Sequence, residues 1–245
     1  MSCSFTLEHY RNILETALEA GYVFRGFHEP IYSSEGKSIY LRHDIDICLE
    51  EATEIARLEA VTGVRSTYFI LINSPLYNLL DESSLMLLRN IQNKGHWIGL
   101  HIDTGLFPQH DNEMIERYIS NIANFYSSMI RLVPVVSFHR PGENLLGINF
   151  QKFVSTYSHQ YFNDIKYVSD SRGMWREGCP CQILKNRVYP SLQMLVHPIW
   201  WRSMETESMA DRLRYLFNKR TECIKSYLSK NIDPLSKLLY LKNQK

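Results

Sequence analysis

What most limits the folds open to this chain is a recurring order of elements. A short apolar run of strand length ends in a polar, chemically capable group, and several of these runs lead into an amphipathic stretch of helix length. Ile39-Tyr40-Leu41 runs into Asp44 and Asp46. The run 97–100 ends at His101 and Asp103, 135–138 ends at His139 and Arg140, and 192–196 ends at His197. Segment 65–72, rich in β-branched and aromatic residues, supplies another buried strand, and 23–27 a short one. Helices are predicted over 49–62 and 81–94, stopped by Gly63 and Gly95. A long one over 111–131 presents Met114, Tyr118, Ile122, Phe125 and Met129 on one face. This alternation predicts an α/β chain with a largely parallel sheet. In such folds functional groups collect beyond the C-terminal ends of the strands.

The flanks are helical: 6–20, with Leu7, Tyr10, Leu14 and Ala17 at helical spacing, then 205–228 and a short helix after Pro234. Residues 141–190 are less regular, with short strands expected around 161–162 and 166–169. No repeat or linker interrupts the chain. The expectation is therefore one domain, 1–245, with the N-terminal helix (4–20) and the C-terminal helices (205–242) packed on it.

Asp44 and Asp46 stand two residues apart, so an extended backbone puts both carboxylates on one side. Acids that close repel unless a cation lies between them or one keeps a proton. Division of labour answers this, with one holding a metal ion and the other accepting a proton from water. The plainer alternative is that Asp-x-Asp ends a strand and caps the next helix.

Lys+Arg 27 against Asp+Glu 26 leaves a charge balance unlike that of a phosphate-contacting nucleic-acid binder. No apolar run reaches the ~18–20 residues that cross a bilayer, and the first residues lack a signal-peptide pattern, so a cytoplasmic protein is expected. Cys3, Cys48, Cys179, Cys181 and Cys223 are expected as reduced thiols, since Cys179-Pro180-Cys181 is shorter than a Cys-x-x-Cys knuckle. His43 and His96 are expected to be structural, and His9, His28, His110 and His159 to lie on the surface or in loops.

From about Ile39 to Trp201 the clusters resemble, in order and spacing, the polysaccharide deacetylase superfamily (the NodB-homology carbohydrate esterases), and most of all its surface-polysaccharide or O-antigen branch. Five segments carry the likeness: Arg42-His43-Asp44-Ile45-Asp46, Gly95-His96-Trp97-Ile98-Gly99-Leu100-His101, Ser137-Phe138-His139-Arg140-Pro141, Asp170-Ser171-Arg172-Gly173-Met174-Trp175 and Leu195-Val196-His197-Pro198. The resemblance implies an irregular (β/α) barrel, often of seven parallel strands. It implies a metal-dependent hydrolase, with zinc as the expected divalent ion, that removes an N-acyl group (N-acetyl foremost) from an amino sugar. The expected substrate is a nucleotide- or lipid-linked precursor. By the same likeness Asp44 is the base, Asp46 and His101 are metal ligands, Arg140 holds Asp44, His197 is the general acid and Asp170 fixes it. Trp175, Trp200 and Trp201 are candidates to stack on a sugar.

Two positions depart from that pattern. Gly105 stands where the family has a second metal-binding His, leaving the third ligand to His139, or to Asp103 as the alternative. Gly142-Glu143 replaces an aromatic residue whose N–H helps bind an oxyanion. Two other readings therefore stand beside the deacetylase: a non-catalytic carbohydrate-binding relative, and a deformylase or hydrolase of another small amide.

Overall fold

The alternation is realised as one parallel sheet. The structure, a computed structural model, describes residues 3–29, 36–106, 111–202 and 208–232. Its strands are β1 (Tyr22–Phe24), β2 (Lys37–Ile45), β3 (Thr67–Leu71), β4 (Trp97–Asp103), β5 (Val135–His139), β6 (Val154–Ser155), β7 (Lys166–Ser169) and β8 (Ser191–Val196). Every pairing is parallel. Seven strands follow the order β6-β5-β4-β3-β2-β8-β7, with β1 added alongside β2. That order is a barrel circuit opened at one place: β8 returns to pair with β2, while no pairing joins β6 to β7 among the described residues. The fold is thus an irregular, curled (β/α) barrel.

Parallel strands covered on both sides are apolar on both faces, and β2 is buried from Ser38 to Ile45. Its side chains alternate in destination. Ile39, Leu41 and Ile45 join the large core shared with α1 (Leu7–Glu19), α2 (Leu49–Thr62) and α3 (Glu82–Asn93). Tyr40 points inward, into a small cluster with Phe27, Phe69, Val135 and Tyr161. Gly99 in β4 is what lets that interior close: a Cβ there would stand 2.7 Å from the Phe69 ring.

Helix limits follow local chemistry. Asp81 accepts from Ser83 N–H to start α3, and Gly63 takes a left-handed φ of 78° to end α2. The long helix is α4 (Asn112–Ser127), shorter than predicted, and its buried face is Ile115, Ile119 and Tyr126. Met114 and Phe125, expected inward, are exposed, so the apolar stripe sits about one position away from the predicted one. Residues 161–162 lie in the short helix α5 (His159–Phe162), not in a strand, and α6 (Pro180–Asn186) was not anticipated.

The chain divides into two compact units, 1–203 and 204–245. In the second, α7 (Met209–Asn231) opens with a capping box. Ser208 Oγ accepts from Asp211 N–H at 3.2 Å, and the Asp211 carboxylate accepts from Ser208 N–H at 3.3 Å. The start of the predicted 205–228 helix, the helix after Pro234 and His110 lie outside the described residues. No helix among the described residues is long and apolar enough to cross a membrane.

Candidate active site

Period two in the strands decides which side chains meet. On β2 the inward series that holds Tyr40 continues through Arg42, Asp44 and Asp46, whereas His43 faces α2. On β4 the inward series runs Gly99, His101, Asp103. On β5 it ends at His139, and beyond β8 it ends at His197. Pairing of Asp103 with His139 across β4 and β5 brings those two strand ends level. The carboxylates and imidazoles named from the sequence therefore meet at one rim. A small cleft opens there, lined by Asp44, Asp46, Cys48, His197, Ile199 and Trp200 among others.

Asp46, His101 and His139 each offer one donor atom, and these lie within 4.8 Å of one another. Asp46 Oδ1 is 3.2 Å from His101 Nε2 and 3.4 Å from His139 Nδ1, yet it finds no hydrogen-bond partner. Two ligands about 2.0–2.2 Å from a tetrahedral ion stand roughly 3.4 Å apart. Lone pairs converging at that spacing without hydrogen bonding to each other are a set that fits a divalent ion, and an Asp-His-His set suits zinc. Burial opposes the charge of Asp46, but His101 and His139 outweigh it and hold the carboxyl far below its usual range. Asp103 is engaged elsewhere, by the Gly105 N–H (2.9 Å) and Arg140 (3.2 Å). The structure therefore gathers the first-named trio, with His139.

Arg140 does not reach Asp44. It takes a left-handed φ of 51° just past β5, its side chain is 75% exposed, and it pairs with Asp103. The cation that holds Asp44 is Arg42, fully buried two residues upstream on the same strand face. Arg42 Nη2 donates to Asp44 Oδ2 at 2.8 Å and to Tyr157 OH at 3.0 Å, and Nη1 donates to Thr156 Oγ1 at 2.5 Å and Gln193 Oε1 at 3.0 Å. Burial alone would raise the Asp44 pKa. Arg42 first, then His101 and His197, reverse this and keep it below the ordinary carboxylate range. Asp44 Oδ1 is buried with no hydrogen-bond partner among the described residues. The spacing that grouped Asp44 with Asp46 also points to Arg42, and Gln193, polar inside an apolar strand, was a second signal. Arg140→Ala is expected to change unfolding free energy by no more than about 1 kcal/mol, read from urea denaturation. A loss several times larger would mean that Arg140 is a buried anchor.

His197 and Asp170 form a tight pair. His197 Nδ1 lies 2.6 Å from Asp170 Oδ1, and the His197 backbone N–H donates to both carboxylate oxygens at 2.9 and 3.0 Å. Trp201 Nε1 donates to Asp170 Oδ2 at 2.9 Å, fixing the acid from behind. Burial pushes the imidazole pKa down, but Asp170 more than offsets it, and the ring is raised to about 9. Nε2 is then the free end of the ring, 3.9 Å from Asp46 Oδ2. Trp200, one of the aromatic residues named from the sequence, borders the cleft. Trp175 does not; it is buried against Phe5 and Trp201, with ring centroids 6.5 and 6.3 Å away. Trp201, 1% exposed, is likewise a wall.

The class that fold and site define is an open parallel (β/α) barrel carrying a carboxylate–imidazole cluster at its strand ends. Among solved structures, the chain is similar to a family 4 carbohydrate esterase from Bacillus anthracis, at 15% identity over 93% of this chain and 85% of that one, with a TM-score of 0.44. It is also similar to the chitin deacetylase of Colletotrichum lindemuthianum (13% identity, 80% of this chain and 88% of that one, TM-score 0.43). A third match is the peptidoglycan deacetylase PdaC of Bacillus subtilis (13%, 83% and 98%, 0.45). No protein-family model and no curated protein sequence matches the chain.

Proposed function

We propose that this chain is a metal-dependent hydrolase that removes an N-acyl group, N-acetyl foremost, from an amino sugar. One observation carries the reading: an ionised acid held by a buried arginine, a three-ligand cluster and a carboxylate-backed imidazole are gathered at one rim. Asp46, His101 and His139 would hold the ion. When bound it supplies a Lewis acid that polarises the amide carbonyl and makes water easier to deprotonate.

The remaining steps belong to the chain's own groups. Asp44 takes a proton from the attacking water through Oδ1, the oxygen Arg42 leaves free. Arg42 keeps that carboxylate charged and aligned through a charge-assisted hydrogen bond. As the C–N bond breaks, His197 gives the proton on its Nε2 to the nitrogen, so that an amine leaves and not an amide anion. Asp170 holds the imidazole protonated and turned toward the cleft. Products are a free amine on the sugar and a carboxylate. Trp200 offers an aromatic edge for the sugar ring.

The finer part of the reading is a nucleotide- or lipid-linked substrate in cytoplasmic surface-polysaccharide biosynthesis, and it rests on the sequence resemblance together with the cytoplasmic location expected from the sequence. The test is release of acetate or formate from a panel of N-acyl amino sugars, free, nucleotide-linked and lipid-linked. Release is expected to stop on chelation and return when zinc is restored. A panel hydrolysed equally well before and after complete metal removal would overturn the assignment.

A further inference from the structure

Apart from the strand-end cluster, the fold assembles another set of metal-ligating side chains. Cys3 lies in the N-terminal segment, His9 on the first turn of α1, and Cys179 just ahead of α6. One donor atom from each lies within 4.8 Å of the other two, and His9 Nε2 is 3.2 Å from Cys179 Sγ. Both cysteines are free thiols, half-buried. We propose that Cys3, His9 and Cys179 form a second, structural site for a thiophilic divalent ion such as zinc.

Thiol sulfur and imidazole are the donor types of structural zinc centres, in contrast to the carboxylate–imidazole set at the rim. Such an ion would join the N-terminal segment, α1 and α6, pieces separated by about 170 residues of chain. Its position has a structural reach. The His9 ring stacks on Trp201, with centroids 6.4 Å apart and planes 9° from parallel, and Phe5 packs on the same indole at 5.0 Å. That indole donates to Asp170. The site stands on these contacts whether or not the reaction proposed above is correct.

The experiment loads the full-length, reduced chain with cobalt(II) in place of zinc and records its absorption spectrum. A sulfur-to-cobalt charge-transfer band is expected. It should persist in Asp46→Ala, which loses one bound ion from the rim, and vanish in Cys179→Ser, which loses the other. If Cys179→Ser does not fold, the unaltered chain decides by thiol labelling: zinc is expected to protect Cys3 and Cys179, and chelation to expose them. Absence of the band together with labelling indifferent to zinc would overturn the proposal, as would isolation of Cys179 in a disulfide from chain purified under reducing conditions.

Discussion

Asp44→Asn is expected to lower amide hydrolysis by roughly 10²- to 10⁴-fold, the usual worth of a positioned general base. The substitution keeps the volume of the side chain and removes its ability to accept a proton. It leaves Asp46, His101 and His139 in place, so metal content is expected to be unchanged. Loss of turnover with the ion retained therefore separates the base from the ligands. Arg42 would lose its anionic partner, and thermal unfolding of the variant checks that the loss is chemical and not a failure to fold. Acetate release within tenfold of the unaltered chain would remove Asp44 from the role of base.

The second large effect is on stability. Glu59→Ala is expected to cost about 3–5 kcal/mol, the penalty for stripping one partner from a buried charged network. Glu59 sits fully buried on α2 and is the point where five side chains meet. Tyr10 donates to Oε1 at 2.5 Å and His43 Nε2 lies 2.7 Å from the same oxygen. Ser66 and Tyr68 donate to Oε2 at 2.6 and 2.7 Å, and His96 Nδ1 lies 3.5 Å away. These groups come from α1, β2, β3 and the segments ahead of β3 and β4, so one carboxylate ties most of the barrel's back to α2. Burial works against its charge, but His43 and then His96 prevail, and its pKa falls from 4.5 to about 2. A folded pKa below the unfolded one contributes stability that is fully present above about pH 4.5 and is lost as the pH falls toward about 2. Urea denaturation should show the gap between Glu59→Gln and the unaltered chain narrowing across that window. A gap that stays constant there would mean Glu59 is not the ionised hub.

Much of the rim was legible in the sequence because strand periodicity is local. Asp44 and Asp46 had to share a face, and His101, His139 and His197 each ended an apolar run. Arg42 obeyed the same two-residue rule but lay inside the apolar run, where a charge is read as an exception. Arg140 was misassigned because its left-handed backbone turns it off the strand, a change no spacing records. Glu59 stood on the buried stripe of α2 with Ala52, Ile55 and Ala56, so helical spacing held a usable signal. The two-residue β6 and the four-residue α5 are too short to show any period. His9 was read as a surface residue, and the Cys3–His9–Cys179 grouping had no local trace, since chain folding alone joins residues so far apart.

The alternation along β2 has a consequence for how this chain can vary. Its inward residues face the cleft and its outward ones carry the anchoring: Asp44 lines the cleft, while His43 clasps Glu59. Inserting or deleting a single residue there would exchange the two sets, aiming both acids at α2 and an imidazole into the barrel. A single substitution in this strand alters one contact, whereas a change of its length would alter all of them.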